Sequence, residues 1–109
     1  MPALYTRVEL PTVQDPRGNL TIIERNKAAR FEIHRLYFIH GVPQGAERGG
    51  HAHRNLQQLL VSVAGSFRLR LSDGTSWATV MCNDPTIGVL IGPWIWRELD
   101  MFSAGSICL

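Results

Sequence analysis

No apolar stretch of this chain runs farther than a short strand before a turn signal stops it, and this limits the possible folds more than any other feature of its 109 residues. Segments 20–24, 33–39, 57–63, 66–71, 75–81 and 88–91 are rich in β-branched, aromatic and leucine side chains and lack helical periodicity. Between them stand Pro16-Arg17-Gly18, Gly41-Val42-Pro43, Ala64-Gly65-Ser66, Ser72-Asp73-Gly74 and Asn83-Asp84-Pro85. Asp73-Gly74, set between Phe67/Leu69/Leu71 and Trp77/Thr79/Met81, predicts a hairpin. Many short strands at close spacing predict an all-β sandwich or barrel. A single helical turn is expected over 25–30. Leu59-Leu60-Val61 is apolar on both parities, so its strand is expected to be covered on both faces, the second cover being open to a partner subunit.

The chain's length gives room for one domain, taken as 1–109. A formal charge of +2, with no Lys/Arg block, argues against nucleic acid as the partner and suits a small anion. Cys82 and Cys108 show no CxxC spacing, which favours free thiols in a reducing compartment. Residues 1–13 lack a signal-peptide apolar core, and no run reaches the roughly 20 residues that span a bilayer. The expectation is a cytoplasmic protein without membrane contact.

His51 and His53 are two apart on an extended segment, so their imidazoles leave one face. Such a pair is a metal site or a proton-handling pair, unless each ring is merely hydrogen-bonded in place. From Gly45, five residues precede His51; after His53 come four residues, Gln58, six more and Gly65. That spacing resembles the first motif of the cupins, which are double-sheet β-barrels. The motif's metal-binding glutamate is replaced by Gln58. The stretch matching the second motif, 88–98, holds no histidine, which leaves only Glu98 as a carboxylate. No metal and no other cofactor is expected, and acid–base chemistry remains.

Further segments narrow the resemblance. Asp15-x-Arg17-Gly18-x-Leu20, Phe31-Glu32-Ile33-x-Arg35-x-Tyr37, Gly41-Val42-Pro43, Arg48-Gly49-Gly50-His51-Ala52-His53-Arg54, Gln58 and Ile91-Gly92-Pro93-x-x-Trp96-Arg97-Glu98 occur in that order. Together they resemble the sugar 3,4-ketoisomerase family of cupins, which moves the ketone of dTDP-4-keto-6-deoxyglucose from C4 to C3 on the way to 3-amino-3,6-dideoxy sugars. The resemblance implies a cupin-type jelly roll, a homodimer, no cofactor and a dTDP-linked keto-deoxyhexose as substrate. It also implies a chain shortened at its C-terminus relative to the family. His51 and His53 fall on the family's catalytic base and acid, His51 taken first as the C3 base, and Tyr37 on its active-site tyrosine. Arg35 shares the strand parity of Tyr37. Arg17, Arg48 and Arg97 are candidates for the pyrophosphate, Gln58 for a sugar hydroxyl, and Trp96, on one face with Trp94, for covering sugar or base. A metal-dependent cupin enzyme and a non-catalytic sugar-nucleotide binder are the alternatives.

Overall fold

The computed structural model describes residues 4–24, 31, 33, 35–52, 57–105 and 107–108. Among them there is no helix. The strands are β1 (Thr6–Glu9), β2 (Thr12–Asp15), β3 (Gly18–Thr21), β4 (Ile39–His40), β5 (Arg48–His51), β6 (Gln58–Ala64), β7 (Phe67–Ser72), β8 (Trp77–Cys82), β9 (Ile87–Ile91), β10 (Trp96–Asp100) and β11 (Ile107–Cys108). One sheet has the order β1-β9-β6-β11-β4, a second β5-β10-β7-β8, and β2 and β3 form a separate ribbon. Every pairing is antiparallel.

Alternation within the strands decides what the sheets bury. In β7, Phe67, Leu69 and Leu71 are fully buried while Arg68 and Arg70 point outward. They meet Leu60, Val89, Ile91 and Cys108 of the first sheet and Cys82, Leu99 and Phe102 of the second sheet's side in one apolar core. Phe67 and Phe102 stack with ring centroids 5.4 Å apart. The outer face of the four-stranded sheet carries charged side chains beside exposed Trp77 and Met81, with Arg68 Nε donating to Asp100 Oδ1 at 2.8 Å and Arg70 lying 4.8 Å from the Trp77 ring. β6 is covered on both sides, as its apolar run requires. Leu60 joins the main core, and Leu59 and Val61 join a second cluster with Val8, Leu10, Ile23 and Leu90. That outer cover comes from the chain's own Leu10 and Ile23.

Two strand expectations change. Of the described residues in 33–39 only Ile39 enters a strand, β4, which pairs with β11. The strand expected over 20–24 begins earlier, at Gly18, and ends at Thr21, where its pairing with Thr12 closes the ribbon. The hairpin expected at Asp73-Gly74 joins β7 and β8 through a four-residue loop, 73–76. Asp73 Oδ1 accepts from the backbone N–H of Thr75 and of Ser76, both at 2.8 Å, which satisfies donors a tighter turn would pair across strands. The helical turn expected over 25–30 lies outside the described residues.

Cys82 and Cys108 are free and buried. Burial pushes the Cys82 thiol up to about 11 and the Cys108 thiol up to about 12, from an ordinary 9.0. A thiol whose folded pKa exceeds its unfolded value contributes stability that is complete below the unfolded pKa and lost above it. Unfolding free energy from urea titrations is therefore expected to fall as pH rises above about 9, by up to about 1.4 kcal/mol per pH unit for each thiol. The double variant Cys82→Ala/Cys108→Ala should lose that part of the slope. The thiols of the folded parent should resist a disulfide reagent until denaturant is added.

Candidate active site

Three residues far apart in the chain are joined by hydrogen bonds, Gln58 and Arg97 from facing sheets and Tyr37 from a position that is 52% exposed. Gln58 opens β6 on the same parity as Leu60, so it faces the interior of the five-stranded sheet. Arg97 lies in β10 on the parity of Leu99 and faces it from the other sheet, only 2% exposed. Tyr37 sits in the segment that leads into β4. Arg97 Nη1 donates to Gln58 Oε1, Arg97 Nη2 donates to the Ile95 carbonyl at 3.0 Å, and Gln58 Nε2 donates to the Tyr37 hydroxyl at 3.1 Å. Arg97 Nε is buried without a hydrogen-bond partner among the described residues. Burial pulls the Arg97 pKa below its ordinary value, and the nearby Tyr37 oxygen acts in the opposite direction. A guanidinium keeps its proton throughout the physiological range, so a fixed positive charge stands in this interior.

The strand that carries the histidine motif is pinned against that charge. In the β5–β10 ladder Arg97 pairs with His51, the register shifts, and Glu98 pairs with Gly49. Gly49 and Gly50 take φ of 85° and 79°, a left-handed backbone that admits glycine without strain. A Cβ on Gly49 would lie 2.8 Å from the Arg97 carbonyl oxygen, so β5 can approach β10 here only with glycine at that position. The bulge sets the backbone of His51 opposite Arg97. His53, and the side chain of His51, lie outside the described residues.

The other expected site residues are distributed elsewhere. Trp96 and Arg97 are neighbours in β10 and face opposite sides of the sheet. Trp96 Nε1 donates to Glu98 Oε1 at 2.8 Å, and both line an outer groove of about 420 Å³ with Glu47, Arg48, Gly49 and Gly50. Trp94 has φ 66° in the turn before β10, so strand parity does not put it on one face with Trp96. Arg17, at the end of the β2–β3 ribbon, has a 91% exposed side chain paired with Asp15, Nη2 to Oδ2 at 3.0 Å. This pairing holds the Asp15 carboxyl below its ordinary pKa. Arg35 is exposed in a segment that is not a strand, so shared parity with Tyr37 does not hold.

Residues 4–109 match the family described as FdtA: WxcM-like, C-terminal. The TDP-4-oxo-6-deoxy-alpha-D-glucose-3,4-oxoisomerase of Aneurinibacillus thermoaerophilus is 35% identical over 102 residues, which are 94% of this chain and 73% of that protein. The chain belongs to the TDP-sugar 3,4-ketoisomerase family. Two solved ketoisomerases agree in fold. A histidine-to-asparagine mutant of QdtA from Thermoanaerobacterium thermosaccharolyticum, in complex with TDP-4-keto-6-deoxyglucose, superposes with a TM-score of 0.95 at 32% identity, covering 99% of this chain and 78% of that one. The WlaRB TDP-quinovose 3,4-ketoisomerase of Campylobacter jejuni gives 0.91 at 38% identity, covering 95% and 80%.

For a ketoisomerase chain, the sequence reading named Tyr37, Gln58 and Arg97 but gave them separate tasks. Their mutual bonding had no local signal, since the three positions belong to different elements. The adjacent pair Gly49-Gly50 before His51 was such a signal, pointing to a backbone kink at the motif. Gly49→Ala is expected to cost about 1–3 kcal/mol, from left-handed strain and displacement of β5. A lowered urea midpoint with unchanged denaturant slope would register it.

Proposed function

We propose that this chain converts TDP-4-keto-6-deoxyglucose to its 3-keto isomer in the interior of a closed cupin barrel, by proton transfer between His51, His53 and the sugar. The observation that carries the reading is the superposition, over nearly the whole chain, on a ketoisomerase caught with that sugar nucleotide. The base removes the proton from C3. The electron pair left behind forms the C3=C4 bond and pushes the C4 carbonyl to an oxyanion, which takes a proton to become an enediol. The C3 hydroxyl then gives up its proton as its ketone forms, and C4 receives a proton from the acid. Substrate and product are isomers, so the step needs no oxidant and releases no net proton.

Tyr37 serves as the hydrogen-bond donor to the C4 oxygen. The engagement of Gln58 Oε1 by Arg97 supports chemistry without a metal, because the amide's one ligand atom is already bonded to a cation. Arg17 and Arg48 supply positive charge for the pyrophosphate without Arg97, whose terminal nitrogens are held by Gln58 and Ile95, and Trp96 covers the substrate beside Arg48. The two free, buried thiols support a reducing, cytoplasmic setting; among the described residues no helix is long and apolar enough to cross a membrane. The exposed Val13 and Leu20 of the ribbon, with exposed Leu36 and Phe38, support a homodimer that covers them. Sedimentation equilibrium should then give twice the 12.2 kDa chain mass.

Incubation with TDP-4-keto-6-deoxyglucose in deuterated buffer is expected to yield the 3-keto isomer with deuterium at C4, read by NMR. His51→Asn and His53→Asn should each lower kcat by about 10²–10⁴-fold while TDP binding, measured by calorimetry, is retained. A parent protein that binds TDP but exchanges no carbon-bound hydrogen would be a binding module, and the isomerase reading would be lost.

A further inference from the structure

We propose that Gln58 is a positioning residue whose task is to fix the hydrogen-bond direction of Tyr37, with Arg97 fixing Gln58 in turn. The inference rests on the isomerase reading and assigns one more part of that site. A guanidinium carries donors only, so the group that Gln58 turns toward Arg97 must be its carbonyl oxygen. The amide nitrogen then necessarily faces Tyr37 and donates to its hydroxyl oxygen at 3.1 Å. A phenol has a single hydrogen. With its oxygen accepting from Gln58, that hydrogen points elsewhere, free to be donated to the sugar. The chain of direction starts at a residue that cannot turn over, because Arg97 is buried and its second terminal nitrogen is held by the Ile95 carbonyl.

Glutamate at this position would keep the shape and invert the polarity. Its two oxygens only accept. One would face Arg97 and the other would take the Tyr37 hydrogen, turning the phenol's lone pairs toward the oxygen that becomes negative during C3 deprotonation. The amide at 58 thus has a use of its own, beyond weakening a metal site.

Gln58→Glu is expected to lower kcat by about 10²–10³-fold with KM and TDP affinity little changed. Gln58→Met, which removes both bonds and keeps the volume, should fall in kcat but less. In a Tyr37→Phe background the Gln58→Glu substitution should change kcat by no more than about twofold, since the group it acts through is gone. A kcat for Gln58→Glu near the parent's, or an equal loss in both backgrounds, would overturn the proposal. A measurement on the free protein separates this from failure of the isomerase reading. Tyr37→Phe should shift the side-chain amide protons of Gln58 upfield in ¹H–¹⁵N spectra, as the donated bond is lost. An unmoved amide signal would overturn the proposal whether or not the parent turns over the sugar.

Discussion

A buried guanidinium reaching from one sheet to the other is the interaction on which this site depends. Removing an arginine side chain from water is costly unless its donors are paired. Arg97 meets part of that demand, its terminal nitrogens donating to the oxygen of Gln58 on the facing sheet and to the carbonyl of Ile95, while Nε has no partner among the described residues. One constraint therefore ties β10 to β6, fixes which way the Gln58 amide points, and through it the hydroxyl of Tyr37. It also places positive charge beside the strand that carries the histidine motif.

The register explains how an apolar sandwich tolerates this. Along β7 and β10, Arg97 pairs with Leu71, Leu99 pairs with Leu69, and Phe67 lies farther on, stacked on Phe102. On the facing sheet Gln58 pairs with Ile91, while Cys108 pairs with Ser62 toward the opposite end of β6. Arg97 and Gln58 thus sit toward one end of the interior, while Phe67, Phe102 and Cys108 pack toward the other, where buried Ser62 satisfies its hydroxyl on the Gly65 carbonyl. Burial of Phe67, Leu69, Leu71 and Ile91 holds the strands in place, and the strands hold Arg97 and Gln58 at fixed spacing. Dispersion and area burial are insensitive to small rotations; the hydrogen bonds at the other end are not, and so the second depends on the first.

The described surface carries the remaining charged candidates in three places, one of them Arg35 in the segment before β4. Arg48 and Trp96 share the outer groove, and Arg17 stands on a ribbon that belongs to neither sheet. A substrate with a sugar at one end and a pyrophosphate and base at the other is long enough to need more than the interior. The separation of the Arg97–Gln58–Tyr37 group from the exposed arginines is the kind of division such a ligand requires.

Much of the architecture was legible from local pattern. β6, β7, β8 and β9 followed from apolar runs bounded by glycine, asparagine, aspartate and proline, because strand alternation and turn chemistry act over a few residues. The spacing from Gly45 to Gly65 and the ordered segments around it were enough to indicate the family. β10 was harder to see, since a buried arginine stands at an inward position where alternation calls for an apolar residue. Of the described residues in the strand expected over 33–39 only Ile39 is paired, and its partner Cys108 lies far along the chain, where local pattern gives no sign of it. By itself, then, the sequence determined an all-β chain, its turns, its strand faces and its family, all properties of neighbours in the chain. Only the tertiary structure decided that Arg97, Gln58 and Tyr37 form one directed relay, because the direction of a hydrogen bond is set by which donors and acceptors meet in space, and positions 37, 58 and 97 meet only when two sheets close on a shared core.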